Sequence, residues 1–154
     1  MISEVFDERW QAYAGTHVRI THPSLGELEV QPFEAGTTVG SFPDDAHRTI
    51  HLMTAQNPAR QLSDAENASR QAALVAQLST NPSVEVWSAI GGDPTWSHTE
   101  DSVAIVGLTD DEAITLARRF DQYAIFAWTT TDWWLISCRS NQRQAVGWRV
   151  RTPG

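Results

Sequence analysis

The fold is decided by the stretch from Thr49 to Leu78, which reads TIHLMTAQNPARQLSDAENASRQAALVAQL. Its first six residues are mostly apolar or β-branched and predict a strand, which ends before Asn57-Pro58 because proline has no N–H to donate to a β-ladder. Ser63 and Glu66 then have the spacing of a capping box, in which each side chain caps a free backbone N–H of the other residue. The stretch therefore predicts a strand, a turn and a helix that continues to Leu78.

Length and composition predict one globular domain. The chain has 154 residues, of which 41% are hydrophobic and 19% are charged, and values in this range are typical of a folded domain. We expect a single domain over residues 1–154, with its core at 49–138 and an N-terminal helix and short strands at 1–48. No apolar run approaches the roughly 20 residues that cross a bilayer, and the first ten residues lack the apolar segment of a secretory signal. These features favour a cytoplasmic protein with no membrane association.

The charge pattern excludes several classes of function. A formal net charge of −8 argues against nucleic-acid binding, which depends on clustered positive charge. All 11 basic residues are arginine, so a P-loop lysine, a pyridoxal Schiff base and a lysine nucleophile are excluded. We expect no cofactor. We also expect no metal, because His47 and His51 have no evident third ligand. Cys138 ends an apolar run and is predicted to be a buried thiol.

The order of elements predicts an α+β fold. From residue 49 to residue 129 the pattern reads strand, helix, strand, strand, helix, strand, which is the split β-α-β arrangement of ferredoxin-like folds. A second capping box at Thr109 and Glu112 marks the start of the second helix. We expect this core to be extended by a C-terminal hairpin that ends at Cys138 and preceded by a helix over 4–13. Residues 146–150 are predicted to add an edge strand.

The same element order predicts where a functional site lies. If the four core strands have the spatial order four, one, three, two, the loops at 56–62, 89–101 and 118–123 share one edge of the sheet. Loops carry function more often than the elements beneath them, so we expect a ligand-binding site at this edge. Its candidate ligand-binding residues are Asn57, Trp96, Glu100, Arg119 and Gln122.

Four motifs occur in sequence around these loops. They are T-A-x-N-P at 54–58, S-x-x-E-N at 63–67, G-x-D-P with W-x-x-x-E at 91–100, and R-F-x-Q-x-A-I at 119–125. Together, over about Tyr13 to Trp128, they resemble the bacterial domain of unknown function family 3293. The resemblance implies no reaction, ligand or cofactor, but it implies that these loop residues belong together. Asp121 departs from the pattern, because a glycine is expected before the glutamine.

Three functions are compatible with these features. The leading hypothesis is a non-catalytic binding or regulatory domain for a small polar or anionic ligand, or for a protein partner, because no nucleophile, base and orienting residue are found together. The alternative is a hydrolase or transferase with Glu100 as general acid or base and His98 as its helper, while Asn57, Arg119 and Gln122 position the substrate. A third possibility is an acidic inhibitor or immunity-type protein that engages a basic partner.

Structural interpretations compete with these functional ones. Asn57 can cap the turn before Pro58, and Arg119 can complement the C-terminus of the second helix. The tryptophan cluster is equally compatible with a core and with an exposed partner surface. Its members are Trp128, Trp133, Trp134 and Trp148.

Overall fold

The computed structural model describes residues 2–56 and 62–153, with side chains from residue 8 onward. These residues form three helices and nine strands. The elements are α1 (Ile2–Ala14), β1 (His17–His22), β2 (Gly26–Phe33), β3 (Thr38–Val39), β4 (Ile50–Met53), α2 (Asp64–Ser79), β5 (Glu85–Gly92), β6 (Thr99–Val106), α3 (Asp110–Arg119), β7 (Ala124–Trp128), β8 (Trp133–Ser137) and β9 (Arg143–Arg151).

Eight of these strands form a closed antiparallel barrel in the order β2-β1-β5-β6-β4-β7-β8-β9. The barrel closes because β9 also pairs with β2, with Val30 opposite Val150. The short β3 lies outside this circuit and pairs in parallel with β9. The predicted ferredoxin-like α+β fold is therefore wrong.

The error has a specific physical origin. The strands β7, β4, β6 and β5 do lie next to one another in that order, which is the local order assumed for the ferredoxin-like core. In a ferredoxin-like fold this sheet ends at two open edges, whereas here each of the two edge strands pairs with a further strand. β5 pairs with β1 and β7 pairs with β8, so the predicted C-terminal hairpin and the N-terminal strands form the rest of the barrel wall. The predicted edge strand at 146–150 is part of β9, which pairs on both sides.

Alternation of side chains along each strand produces two cores. In β9, Val146, Trp148 and Val150 belong to or pack against the interior cluster, whereas Arg149 points outward, because successive side chains of a strand face opposite sides. A second cluster lies on the outer face of β4, β6 and β7, where α2 and α3 cover it. Leu74 of α2 and Ala117 of α3 are fully buried there.

Both predicted capping boxes are present in the structure. The Ser63 hydroxyl accepts a hydrogen bond from the Glu66 backbone N–H at 3.1 Å, and the Ser63 N–H donates to the Glu66 carboxylate at 3.1 Å. Thr109 and Glu112 make the same pair of bonds at the start of α3. Local chemistry thus sets where each helix begins, although it does not set how the sheet closes.

Aromatic side chains fill one end of the barrel. Trp128 contacts both Trp133 and Trp148, with ring centroids 6.1 and 5.3 Å apart, and Phe42 packs on Trp128 at 5.2 Å. The three tryptophans are at most 2% exposed, so they form core rather than a partner surface. Trp134 is half-buried and packs on the outer core.

Helix α1 covers the other end, where β4 and β5 finish and where β6 and β7 begin. Trp10 is buried among the interior residues, and its indole N–H donates a hydrogen bond to Gln144 Oε1 at 2.8 Å. Tyr13 and Ala14 also pack against the interior cluster. No helix among residues 2–56 and 62–153 is long and apolar enough to cross a membrane.

His51 of β4 points outward and is completely buried beneath the start of α3. Its Nε2 lies 2.7 Å from Asp110 Oδ1, and its Nδ1 has no hydrogen-bond partner among the described residues. Burial lowers the pKa of His51, and the Asp110 carboxylate offsets this only in part. The folded protein therefore holds a neutral imidazole whose Nε2–H donates to Asp110.

This burial predicts a pH dependence of stability. An unfolded histidine takes up a proton near pH 6.5, whereas His51 in the folded protein takes one up only at lower pH. The stabilisation is therefore fully present above pH 6.5 and is lost as the pH falls towards the lower folded pKa. We expect the free energy of unfolding, measured by urea titration between pH 7.5 and 5.5, to decrease with a slope of up to about 1.4 kcal/mol per pH unit.

The substitution His51→Gln should remove this component of the slope, because glutamine does not titrate. His47 provides a matched control, since it is exposed and its left-handed φ of 58° is tolerated by asparagine. His47→Asn should leave the slope unchanged. An unaltered slope in His51→Gln would contradict the assignment of a buried neutral histidine.

Candidate functional site

The described parts of the three predicted loops lie close together at the α1 end of the barrel. The Gln122 side-chain amide donates hydrogen bonds to the carbonyls of Gln56 at 2.8 Å and Phe120 at 3.1 Å. The Thr54 hydroxyl donates to the Asp101 carbonyl at 2.6 Å. Side chains therefore join the end of β4 to both other loops. Asn57 lies outside the described residues.

Arg70 of α2 adds a second link between two of these loops. Its guanidinium donates a hydrogen bond to the Ala55 carbonyl at 2.7 Å and another to the Phe120 carbonyl, and it lies 3.7 Å from the Asp121 carboxylate. Asp121 has a φ of 58°, in the left-handed region that favours glycine. This conformation explains why glycine is expected at the position.

A pocket of about 370 Å³ lies between α1 and the barrel wall at this end. Its apolar lining comes from the inward faces of β1, β4 and β7 (Val18, Leu52, Ala124 and Phe126) and from Met53, which ends β4 and belongs to the outer cluster. Gly91 of β5 also lines it and faces inward without a side chain, which leaves space beside Ser102 and Thr16. A Cβ built on Gly91 would meet only ordinary contacts, at 3.6 Å from Ser102 Oγ and 3.7 Å from Thr16 Cγ2.

Glu100 and Tyr13 are the central polar groups of the pocket. Both line it, Glu100 from β6 and Tyr13 from α1. Burial raises the pKa of Glu100, and the nearby His98 offsets this in part. Burial, together with the proximity of Glu100, raises the pKa of Tyr13 to about 12. The tyrosine is thus a neutral hydroxyl at physiological pH, and the carboxyl is protonated more readily than one in water.

The guanidinium groups of two arginines pack against the ring of Tyr123 at the mouth of the pocket. The guanidinium carbons of Arg9 and Arg139 lie 4.8 and 5.7 Å from the ring centroid, within the range of cation–π attraction. Tyr13 stacks on the same ring, with centroids 5.6 Å apart. All four residues line the pocket, so α1, the start of β7 and the turn after β8 build its mouth together.

The predicted site residues are divided between this pocket and other surfaces. Glu100 and His98 line the pocket, whereas Gln122 is 3% exposed and is not part of its lining. Trp96 lies on the outer face of the barrel, where its ring packs against Gly92. The guanidinium carbon of Arg19 lies 4.0 Å from the centroid of this ring. Arg119 is exposed on α3 and is absent from the lining.

The predicted loop at 89–101 is shorter than expected. β5 continues to Gly92 and β6 begins at Thr99, which leaves a short turn between them. The Asp93 carboxylate organises this turn by accepting hydrogen bonds from the backbone and hydroxyl groups of Thr95 and Ser97. These bonds, with those from Ser97 foremost, hold the pKa of Asp93 far below its usual range. The Asp93 carboxylate therefore serves to stabilise its own turn.

Sequence reasoning missed Arg9, Tyr13, Tyr123 and Arg139. Tyr123 carried a usable signal, because it is the last residue of the predicted loop at 118–123. Arg9, Tyr13 and Arg139 carried none, since their positions depend on where α1 docks and on the turn between β8 and β9. Across the described parts of the chain, no three His, Cys, Asp or Glu side chains are grouped closely enough to hold a metal ion.

The fold and the pocket define a class of protein: a small closed barrel with a ligand-sized pocket at its helix-covered end. Residues 53–125 match the model of a family described as "Protein of unknown function (DUF3293)". This match confirms the resemblance that the motifs indicated. The matched segment contains α2, β5, β6 and α3 in full, together with the last residue of β4 and the first two residues of β7. No curated protein matches the chain.

The hydrogen bonds of Gln122 predict that it is needed for stability. Gln122→Leu keeps the approximate volume but leaves the carbonyl of half-buried Gln56 without its donor, and an unsatisfied buried polar group costs about 1–3 kcal/mol. We expect the free energy of unfolding, measured by urea titration, to fall by about 2 kcal/mol. Arg119→Gln is the matched control, because an exposed substitution changes stability by no more than about 0.5 kcal/mol. Equal stability of Gln122→Leu and wild type would show that Gln122 does not hold the loops together.

Proposed function

We propose that the protein is a non-catalytic binding domain that holds a small molecule in the pocket between α1 and the barrel. The observation that carries this proposal is the pocket itself. Its volume of about 370 Å³ falls in the range of small-molecule sites, which are typically about 300–1,000 Å³. Its lining combines an apolar wall with a few polar groups, which is the usual composition of such sites.

The contrast between the two ends of the barrel supports this proposal. At the tryptophan end, large aromatic side chains fill the interior, as close packing of a core requires. At the α1 end, the inward positions of β5 and β7 are occupied by Gly91 and Ala124, which are among the smallest side chains available. The barrel is therefore wide where α1 covers it, and the space lies where the motif-bearing loops meet.

The side chains of the pocket favour binding over covalent chemistry. Ser102 donates its hydroxyl hydrogen bond to the Glu100 backbone carbonyl at 3.3 Å, so it is not paired with a base. Thr54 donates to the Asp101 carbonyl. Burial raises the pKa of Cys138 to about 11, which keeps it a thiol at neutral pH, and Cys138 does not line the pocket. An activated nucleophile needs a base within hydrogen-bond reach, and these groups have none.

A thermal-shift screen with a pocket-filling variant tests the proposal. We expect at least one class among nucleotides, amino acids, sugars and aromatic acids to raise the melting temperature, because a ligand that binds the native state stabilises it. Gly91→Val should abolish that shift, since its methyl groups enter the pocket while its Cβ makes only ordinary contacts. Ser88→Val is the control, because Ser88 is exposed on the same strand.

The outcomes of this screen distinguish ligand binding in the pocket from binding elsewhere and from no binding. A ligand-induced shift that is lost in Gly91→Val and kept in Ser88→Val supports the pocket as the binding site. A shift of equal size in wild type and Gly91→Val would contradict it, as would a screen in which no compound changes the melting temperature.

A second candidate function is a hydrolase or transferase that uses Glu100 as general acid. The raised pKa of Glu100 and the presence of His98 in the same pocket favour it, because a buried carboxyl with a raised pKa is suited to proton donation near neutral pH. Conversion of a bound compound to product by the wild type, lost in Glu100→Gln with binding retained, would favour this function over simple binding.

A further inference from the structure

The mouth of the pocket has an unusual charge arrangement. Neither Arg9 nor Arg139 forms an ion pair with a side chain that the structure describes, although both are exposed and line the pocket. Other arginines are paired: Arg19 and Arg151 with Glu29, and Arg48 with Asp44. Two guanidinium groups therefore face one aromatic ring at a pocket mouth, in a chain whose formal net charge is −8.

The acidic groups of the pocket do not cancel this charge directly. Asp93 is held by the hydrogen bonds of its own turn, and Asp121 lies 3.7 Å from the guanidinium of Arg70. Glu100 is a largely buried carboxyl close to Tyr13, and burial disfavours its charged form. The cationic groups of Arg9 and Arg139 are thus available to a group that enters from solvent.

The interior of the pocket beyond its mouth is apolar. Phe126, Leu52 and Val18 line it and belong to the interior core, so it accepts an apolar ring or short chain. An arginine guanidinium binds carboxylate and phosphate oxygens through charge-assisted hydrogen bonds, often in pairs. Stacking of Tyr13 on Tyr123 gives the entering ligand a flat aromatic wall between these two regions.

We infer that the pocket binds an organic anion, with its carboxylate or phosphate held between Arg9 and Arg139 and its apolar part inserted against Phe126. This inference rests on the proposed function, because it names the class of ligand for the same pocket. It assigns a binding role to two arginines outside the segment that the family model matches.

Matched probes test the charge requirement. Binding of 2-naphthoate, 2-naphthyl phosphate and the neutral 2-naphthamide to the full-length protein is measured by ¹H–¹⁵N NMR titration at one pH and ionic strength. We expect at least one anionic probe to bind about tenfold more tightly than 2-naphthamide, since hydrogen bonds between a guanidinium and an anionic group are stronger than those to a neutral amide. Comparison of the two anions distinguishes a carboxylate site from a phosphate site.

Substitutions assign the effect to the arginines. Arg9→Gln and Arg139→Gln should each weaken the preferred anion by about fivefold to tenfold and leave 2-naphthamide unchanged. Both side chains are exposed, so the fold should be retained, and the wild-type pattern of NMR shifts away from the pocket verifies this. Arg119→Gln, an exposed arginine outside the pocket, should bind all three probes as the wild type does.

The possible results are distinguishable. Equal affinity for 2-naphthamide and both anions, unaffected by Arg9→Gln and Arg139→Gln but lost in Gly91→Val, would overturn the anion inference and leave the proposed binding function in place. Absence of binding by all three probes would count against the binding function and against the inference together. Loss of anion preference in either arginine variant, with Arg119→Gln unchanged, would support the inference.

Discussion

The pairing of β2 with β9 is the constraint on which the rest of the structure depends. These strands are distant in sequence, and their pairing is reinforced by Glu29, which is 2% exposed and accepts hydrogen bonds from Arg19 of β1 and Arg151 of β9, each at 3.0 Å. Burial alone raises the pKa of Glu29, but the two arginines more than offset this and hold it below its usual value. A buried carboxylate thus joins three neighbouring strands at the closure.

Closure has two consequences for the molecule. It removes exposed sheet edges, which otherwise pair with other chains, and it turns one face of the sheet into an enclosed interior. The size of the inward-facing side chains then determines where the interior is filled and where it contains a pocket. Tryptophans fill one end, while Gly91 and Ala124 leave space at the other, beneath α1. The candidate binding pocket is therefore a product of closure and of side-chain size at two inward positions.

Local features of the sequence predicted local structure well. The capping boxes at Ser63 and Thr109 set the starts of α2 and α3, and the element order from residue 49 to residue 129 was correct because hydrophobic period and turn chemistry act over short distances. Closure was missed because it depends on pairing between residues such as Glu29 and Arg151, which are 122 positions apart. The alternation of Val146, Trp148 and Val150 indicated a strand, but no local pattern identifies the partner of a strand.

The site was predicted in part for the same reason. The described parts of the predicted loops lie close together as expected, and Glu100 lies in the pocket near them, because both follow from the order of four neighbouring strands. Arg9 and Arg139 were missed since α1 and β8 reach the pocket only in the closed barrel. Trp96 and Arg119 are near in sequence to pocket residues, yet they face the outer surface.

Cross-strand NOEs in the ¹⁵N,¹³C-labelled protein test closure most directly. We expect backbone NOEs between residues 29–33 and 147–151, with Val30 opposite Val150 and Phe33 opposite Gly147. Absence of these NOEs, with those between β4 and β7 still present, would contradict the closed barrel and, with it, the pocket beneath α1.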